Sequence, residues 1–302
     1  MSSTDKNNKE PSLAFGGQAV MEGIMMRSKN NVVICVRQPN DEIITQKQKL
    51  SSVTQKYSFL KLPFIRGVVA LIETMYTGIK GIYFSANAAF GDEEEEVNLS
   101  TKEIAVIVIV ALCLSVLLFS VTPFFLTSLL GLGSGFVFSL AEGIVRLSFL
   151  LGYLFFVSQI KDFKRILQYH GAEHTAINAY EAGVEMNVEN VRNYSRFHSR
   201  CGTSFLLIVT VISILFFSLV SSPDYLTRLS LRVLLVPVIS SVSYEVLRIS
   251  DKFKDSAIVK AIVAPGLLLQ RFTTSQPDDK MLEVAIKAVK EVETMIQASE
   301  CS

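Results

Sequence analysis

The sequence predicts a mainly α-helical membrane protein, with about four transmembrane helices, amphipathic helices at the membrane surface and a small N-terminal β-hairpin region. Half of the 302 residues are hydrophobic and only 19% are charged, so the chain carries more apolar surface than a soluble domain of this length buries. The formal net charge is +1, which gives no reason to expect a nucleic-acid partner. The partner that the composition predicts is the lipid bilayer.

The N-terminal region combines a hairpin with one long helix. Residues 32–37 and 42–47 are rich in β-forming side chains and flank a run of turn formers, which is typical of a β-hairpin. Apolar residues recur at helical spacing over Ile65–Phe90, and we expect this helix to lie along the bilayer or against other helices. The alternative is a fifth crossing, in which Glu73 and Lys80 would be costly at the middle of the membrane.

Four apolar segments are long enough to cross a bilayer, which takes about 20 helical residues. The uncharged stretch 104–141 is longer than one crossing, and it contains Pro123 and several glycines between 131 and 135. Because these residues interrupt helices, the stretch predicts two helices joined by a short turn. The four predicted crossings span residues 104–125, 136–157, 203–221 and 229–247.

Basic residues near the helix ends orient the crossings, because Lys and Arg resist translocation. Six of them lie between residues 161 and 200, and none lies in the turn between the first two crossings. Both termini and the segment 161–202 are therefore predicted to be cytoplasmic in a multi-pass protein of the cell membrane. In the second crossing, Glu142 and Arg146 are one helical turn apart, and they are expected to pair at the membrane interface or to serve in transport.

Two more helices are predicted after the fourth crossing. Residues 258–269 are apolar but contain Pro265 and Gly266, which predicts a broken helix at the interface. Pro277 and Asp278 then open a soluble amphipathic helix. Its apolar stripe is Leu282, Ala285, Ile286, Val289, Val292 and Ile296. The predicted regions are an N-terminal region (1–100), a transmembrane hairpin (101–160), a cytoplasmic segment (161–202), a second transmembrane hairpin (203–250) and a C-terminal region (251–302).

The histidines of the chain are concentrated in the cytoplasmic segment. His170, His174 and His198 all lie there, and Cys201 follows three residues after the last. Residues 170–174 have the spacing H-x-x-E-H of inverted zinc proteases. Helical residues four apart share one face at about 5–6 Å, so both imidazoles can reach one metal ion while Glu173 stays close to a bound water. The spacing predicts two metal ligands and a general base.

A catalytic metal site needs three protein ligands and an open position. His198 is the first candidate for the third ligand, followed by Cys201 or Glu181. Imidazole and thiolate favour zinc as the divalent ion, with iron or manganese as alternatives, and the implied reaction is hydrolysis with Glu173 as the base. Two other interpretations are a structural polar network and a Cys201 nucleophile with His198 as its base.

A second motif runs from Gly16 to Arg27. Paired glycines permit a tight turn or a close backbone approach, and Glu22 and Arg27 place two charges in an apolar stretch. The segment is predicted to be a buried turn with a Glu22–Arg27 salt bridge. Alternatively, it closes over the site around His170, with Gln18, Glu22 and Arg27 as supporting residues.

At these residues the sequence resembles the YqhQ family, a bacterial multi-pass membrane domain of unknown function (1385) that is described as a predicted metal-dependent enzyme. The resemblance runs in order along nearly the whole chain, and two positions depart from the usual family residue: Thr175 replaces Lys and Ser199 replaces Pro. Arg200 and Glu245 lie in similar stretches and are predicted to support the site. The stretches are GGQAVMEGIMMR (16–27), LPFIRGVVALIE (62–73), QYHGAEH (168–174), HSRCGTSF (198–205), SYEVLR (243–248) and PGLLLQRFTTSQPDD (265–279).

The leading hypothesis is a membrane-embedded, metal-dependent hydrolase that acts at the cytoplasmic face on a membrane protein or a lipid. The alternative is a non-catalytic scaffold or assembly factor, in which the polar cluster organises helices and the C-terminal amphipathic helix docks a partner. A transporter is the third hypothesis, and it depends on Glu142 and Arg146 as the charged pair near the membrane interior.

Overall fold

A computed structural model describes residues 16–28, 30–50, 52–90, 100–133, 135–198, 201–220, 224–253 and 256–300. The described residues form one antiparallel sheet near the N-terminus, and helices make up most of the rest of the chain. The strands are β1 (Gly16–Val20), β2 (Gly23–Arg27), β3 (Asn31–Arg37) and β4 (Ile43–Lys49). The helices are α1 (Val53–Lys56), α2 (Ile65–Phe90), α3 (Thr101–Val116), α4 (Thr122–Ser128), α5 (Phe136–Gln159), α6 (Lys161–Glu181), α7 (Val188–Val191), α8 (Thr203–Ser218), α9 (Tyr225–Lys252), α10 (Ala257–Thr273) and α11 (Asp279–Glu300).

The sheet has the order β1-β2-β3-β4, and each strand is antiparallel to the next. The predicted hairpin is confirmed as β3 and β4. It is only half of the sheet, because the glycine-rich motif forms a second hairpin whose turn places Glu22 at a positive φ of 50°. The sequence predicted only a buried turn for this motif and not the two strands that flank it. Strands of five residues are too short to show a clear alternation of apolar and polar side chains.

The sheet is the middle layer of a three-layer core. Alternate residues of a strand point to opposite faces, and all seven residues of β3 are buried. Val33 and Cys35 pack with α6 and α11 on one face, whereas Val32, Ile34 and Val36 face α2 on the other. The five central residues of β3, Val32–Val36, are all apolar, as expected for a strand whose two faces are both covered.

The C-terminal helix α11 completes this core. The predicted amphipathic stripe is confirmed, because all six of its members are buried, in one cluster with residues of β2, β3 and α6. Asp278 caps the helix by accepting a hydrogen bond from the backbone nitrogen of Met281 at 2.8 Å. The first and last parts of the chain thus belong to one folding unit.

Three described helical segments are long and apolar enough to cross a membrane: Thr101–Ser128, Phe136–Gln159 and Tyr225–Ser250. The first joins α3 to α4 through a π-helical turn, Leu117–Val121, so Pro123 does not end it. In the apolar windows of these segments only 11%, 22% and 22% of the residues are buried, so apolar side chains cover their outer surfaces. The remaining predicted crossing, α8, is an apolar helix of 16 residues.

Two sequence-based expectations are wrong in detail. Helix α10 runs without interruption through Pro265, because it packs along α8, where Gly266 lets the backbone of α10 approach Ser204 closely. Glu142 and Arg146 do form their ion pair, at 2.6 Å between Oε1 and Nη2. The pair is buried between helices, whereas a snorkelling pair would expose its charged groups.

Candidate metal site

Helix α6 carries the H-x-x-E-H motif on its buried face. Its residues from Gly171 to Ile177 are buried without exception, because the sheet and α11 cover one side and the segment after α10 crosses another. Gly171 permits this crossing, since a side chain there would collide with the carbonyl oxygen of Ser275. The rings of His170 and His174 lie together, 4.4 Å apart between centroids.

Backbone carbonyl groups fix the orientation of both rings. Nδ1 of His170 lies 2.7 Å from the carbonyl oxygen of Thr273, and Nδ1 of His174 lies 2.7 Å from that of Arg196. A carbonyl oxygen only accepts hydrogen bonds, so each Nδ1 carries a proton and donates it. The lone pair of each ring is therefore on Nε2, which is the tautomer that a metal ion binds when the other nitrogen is held in this way.

Cys201 completes a group of three possible ligands. Its Sγ lies 3.4 Å from Nε2 of His170, and the ligand atoms of His170, His174 and Cys201 all lie within 4.8 Å of one another. With typical zinc–sulfur and zinc–nitrogen distances, a tetrahedral site separates S and N by about 3.5 Å. The distance between His170 and Cys201 therefore matches a zinc site, and the three side chains, called the histidine–cysteine cluster below, are close enough together to share one ion.

Two effects on the protonation of Cys201 oppose each other: hydrogen bonds from Thr203, at the start of α8, favour the thiolate, and burial favours the thiol. The backbone nitrogen of Thr203 donates to Sγ at 3.5 Å, and its hydroxyl oxygen lies 3.2 Å from Sγ. Burial nevertheless raises the pKa of Cys201 to about 11, against these hydrogen bonds and with a further increase from the Glu173 carboxylate. A bound divalent cation would supply the positive charge that stabilises a buried thiolate.

Burial also keeps both histidines neutral, which is the form that binds metal. It lowers the pKa of His170, although the hydrogen bond to Thr273 opposes the shift. It lowers the pKa of His174 to about 3, and the charge of His170 adds to the decrease.

Glu173 is buried and faces strand β1. A Cβ atom on Gly17 would lie 2.7 Å from Cδ of Glu173, so the glycine makes room for the carboxyl group. Burial raises the pKa of Glu173 to about 8, although a hydrogen bond from the backbone of Gly17 opposes the shift. Its Oε2 is buried and has no hydrogen-bond partner among the described residues. Glu173 is not a member of the histidine–cysteine cluster, but its unpaired Oε2 is the kind of acceptor that a general base next to that cluster needs.

His198, the first candidate for the third ligand, lies outside the ligand group. Its ring centroid is 5.8 Å from that of His174, and its Nε2 is 3.7 Å from Oε2 of Glu181. Its backbone is held by Gln270, which donates to the His198 carbonyl at 2.8 Å and accepts from its N–H at 2.9 Å. The structure thus brings Cys201, and not His198, beside Nε2 of His170.

The predicted salt bridge between Glu22 and Arg27 is wrong. Glu22 lies at the turn of the β1–β2 hairpin and forms a bidentate ion pair with Arg165 of α6. Arg27 lies at the open end of the hairpin, where it donates to Thr74 at 3.0 Å and lies 3.7 Å from Glu73. Five extended residues span about 17 Å, which separates the two charges.

The hairpin lies beside a cavity of about 310 Å³ between the sheet and α2. Gly17, which touches Glu173, is part of the cavity wall, and the side chain of Gln18 packs against Gly78 of α2. The structure therefore places the hairpin over Glu173 and beside an accessible space. The cavity is lined by Gly16, Gly17, Gln18, Met25, Arg27, Ser28, Thr74 and Thr77.

Other residues of the prediction lie elsewhere. Glu245 forms a bidentate ion pair with Arg66, with one distance of 2.7 Å, and so joins α9 to α2. Thr175 donates to the carbonyl of Gly171 within α6. Arg200 and Ser199 lie outside the described residues.

Sequence reasoning missed the groups that orient the ligands. The carbonyls of Thr273 and Arg196 have no signature in a sequence, since every residue has a carbonyl group. Gln270 was detectable in principle, because a glutamine in the apolar stretch 258–270 needs hydrogen-bond partners when it is buried.

The fold and the site define a mainly helical protein in which helices of membrane-spanning length are joined to a compact core that contains a histidine–cysteine cluster. The chain belongs to the DUF1385 family, described as a protein of unknown function, whose profile matches residues 62–295. It is 36% identical over 296 residues to the "Uncharacterized protein YqhQ" of Bacillus subtilis (strain 168), with 92% of each chain covered. No solved structure matches the chain.

Proposed function

We propose that this protein is a metal-dependent hydrolase of the membrane, in which His170, His174 and Cys201 hold a divalent cation, with zinc as the first choice. The observation that carries the proposal is the convergence of three possible ligand atoms, one ring nitrogen each from His170 and His174 and Sγ of Cys201, within 4.8 Å of one another. Three protein ligands leave a fourth position open, as catalytic zinc sites require. His198 lies next to this group but is not one of the proposed ligands, and its Nε2 lies 3.7 Å from Oε2 of Glu181.

The bound cation would act as a Lewis acid and make a water molecule more acidic. Glu173 serves as the general base, because its Oε2 is buried and has no other hydrogen-bond partner among the described residues. The carbonyls of Thr273 and Arg196 keep the imidazoles in the binding tautomer throughout. The cavity beside Gly17 is the proposed approach for the substrate, which we place among membrane proteins or lipids.

The shared core favours four membrane crossings, in two pairs. The sheet, α6 and α11 share one core, so all three lie on the same side of any membrane that the chain crosses. An even number of crossings must then separate the sheet from α6, and again α6 from α11. The first pair is α3–α4 and α5. The second pair requires α8, although its 16 residues span only about 24 Å, together with α9.

This arrangement leaves α2 on the membrane surface, where it packs on both the sheet and α9. The basic residues of the segment 161–200 favour the cytoplasm as the side of the core, with both termini there. The metal site would then act on substrates at the inner face of the cell membrane.

The proposal is tested by measuring the metal content of the full chain purified in detergent, with mass spectrometry of the metal. The wild type is expected to contain about one zinc ion, and the double variant His170→Ala, His174→Ala and the single variant Cys201→Ala should lose it. Cys35→Ala is the matched control, because Cys35 is also buried but lies in β3. Little metal in the wild type, or equal metal in the double variant, would refute the site.

Two further variants separate the roles within the site. His198→Ala should retain metal, since its ring lies outside the ligand group. Glu173→Gln should also retain metal but lose function in the cell, because it removes the base and keeps the size of the side chain. Normal function of Glu173→Gln would make the site structural instead of catalytic.

The alternative of a scaffold depended on a C-terminal helix with a free apolar stripe. In the fold that stripe is buried against β2, β3 and α6, so it is not available to a partner. One result would favour the scaffold hypothesis: a protein that binds metal and whose function is unaffected by Glu173→Gln.

A further inference from the structure

A second group of charged side chains lies inside the bundle of apolar helices, away from the metal site. Glu142 of α5 accepts a hydrogen bond from Arg146 Nη2 at 2.6 Å and another from Arg232 Nε of α9 at 2.9 Å. Arg146 also donates to Ser213 of α8. Glu142 and Arg232 are each 1% exposed, so both side chains are buried among the helices.

The charges of the network do not balance. Among the residues that the structure describes, two buried guanidinium groups share one carboxylate, which leaves one positive charge in excess. Arg228, one turn before Arg232, adds a further guanidinium at the rim, where it donates to the carbonyl of Gly133 at 2.7 Å and lies near Asp224. An uncompensated charge in an apolar interior is strongly unfavourable, so this group of residues needs another anion.

Unused donors point to the same need. Nε of Arg146, Nη1 of Arg232 and Nε of Arg228 are all buried and have no hydrogen-bond partner among the described residues. A guanidinium N–H can only donate, so each of these atoms requires an acceptor. The remaining surroundings of the guanidinium groups are the aromatic rings of Phe124, Phe138 and Phe217, at 4.8–5.3 Å from Arg232. Ring faces favour cations but accept no strong hydrogen bond.

We propose that Arg146, Arg228 and Arg232 around Glu142, here called the arginine cluster, form a binding site for a phosphate-type oxyanion. Several guanidinium groups from two helices match an anion with several oxygens better than a monatomic one. Both a phospholipid headgroup and free phosphate have this chemistry.

The location of the cluster separates it from the metal site. Arg228 contacts the turn between α4 and α5, and Glu142 is six residues from the start of α5, which is about 9 Å along the helix. The histidine–cysteine cluster follows the other end of α5. The arginine cluster thus lies near the end of the bundle that carries the turn between α4 and α5, where the half-buried Arg228 gives a headgroup or free phosphate an approach.

The test measures the thermal unfolding temperature of the delipidated full chain in a neutral detergent. Two probes are compared with matched references: inorganic phosphate against chloride at equal ionic strength, and phosphatidylglycerol against phosphatidylcholine. We expect saturating probe to raise the unfolding temperature by roughly 5 °C or more over its reference. A shift with phosphatidylglycerol alone identifies a lipid headgroup, and a shift with phosphate identifies a free anion.

Variants connect any shift to the cluster. Arg232→Gln should lose the shift, and Glu142→Gln should enlarge it, because removing the carboxylate increases the excess positive charge. Arg192→Gln is the control, since Arg192 is an exposed arginine paired with Asp279 outside the bundle. The proposal is overturned if neither probe shifts the wild type beyond its reference, if Arg232→Gln shifts as the wild type does, or if Glu142→Gln shows no larger shift.

Discussion

Individual side chains in and around the histidine–cysteine cluster are positioned by backbone groups more than by other side chains. The tautomers of His170 and His174 depend on two carbonyl oxygens, and the place of Glu173 depends on the missing side chain of Gly17. These contacts tolerate little displacement, because a backbone carbonyl cannot change its position by rotating in the way that a flexible side chain can. Small changes of volume next to the site are therefore informative.

Replacing Gly17 by Ala should destabilise the protein by about 1–3 kcal/mol, because the added methyl group would overlap Glu173 at 2.7–2.8 Å. Thermal unfolding of the purified chain measures the effect. Gly16→Ala is the matched control in the same strand, since no atom lies within 4 Å of its Cβ position, and it should change stability by less than about 0.5 kcal/mol. Equal stability of the two variants would contradict the close contact of β1 with Glu173.

The ligand set depends on how helices α6, α8 and α10 meet. Helix α6 supplies both histidines, the segment before α8 supplies Cys201, and the end of α10 supplies the carbonyl that holds His170. Gly171 allows the segment after α10 to cross α6, and that segment is tied to α6 by the hydrogen bond from Ser275 N–H to the carbonyl of Leu167, at 2.8 Å. The spacing between these elements thus sets the geometry of the histidine–cysteine cluster and, under the proposed function, its capacity to bind metal.

Gly171→Ala should push the segment around Ser275 away from α6, because a methyl group would collide with its carbonyl oxygen. The expected result is a loss of bound zinc by several-fold, since the carbonyl that orients His170 moves with that segment. Metal content is the measurement. Gly152→Ala in α5 has no atom within 4 Å of its Cβ position and should keep its zinc. Full zinc content in Gly171→Ala would show that the crossing does not control the site.

The whole molecule is organised around a core that joins the N-terminal sheet to the C-terminal helix α11. The sheet comes from residues 16–49, and the helix that covers one face of it comes from residues 279–300. The apolar helices α3–α4, α5, α8 and α9 lie between them in sequence. A substitution that weakens the packing of α11 should therefore destabilise the strands β1–β4.

Val289→Asp should destabilise the sheet strongly, by more than about 3 kcal/mol, because Val289 is fully buried against it and a charge would have no partner there. Limited proteolysis that follows cleavage within residues 16–50 measures the effect. Lys290→Asp, at the neighbouring exposed position of α11, should leave these residues protected. Protection of the strands in both variants would mean that α11 does not hold the sheet.

The sequence predicted those features that have a regular period or spacing. Helical periodicity gave the stripe of α11 and the helix Ile65–Phe90, and the four-residue spacing of His170 and His174 predicted their shared face. Pairings between distant segments were not predictable: Glu22 and Arg165 are 143 positions apart, and no local pattern relates them. The sequence ranked His198 above Cys201 as the third ligand, whereas the structure places Cys201 beside the two histidines. The segment that carries both residues is irregular, so no sequence period predicts where their side chains lie.

The shared core of the two chain ends also constrains synthesis. About 230 residues separate Lys49 from Asp279, and translation at 5–20 residues per second takes roughly 10–50 s to add them. During that time the apolar face of β2 and β3 lacks the cover that α11 provides, while the ribosome is still making the apolar helices that lie between them in sequence. Nascent chains of this protein should therefore depend on a chaperone until translation is complete.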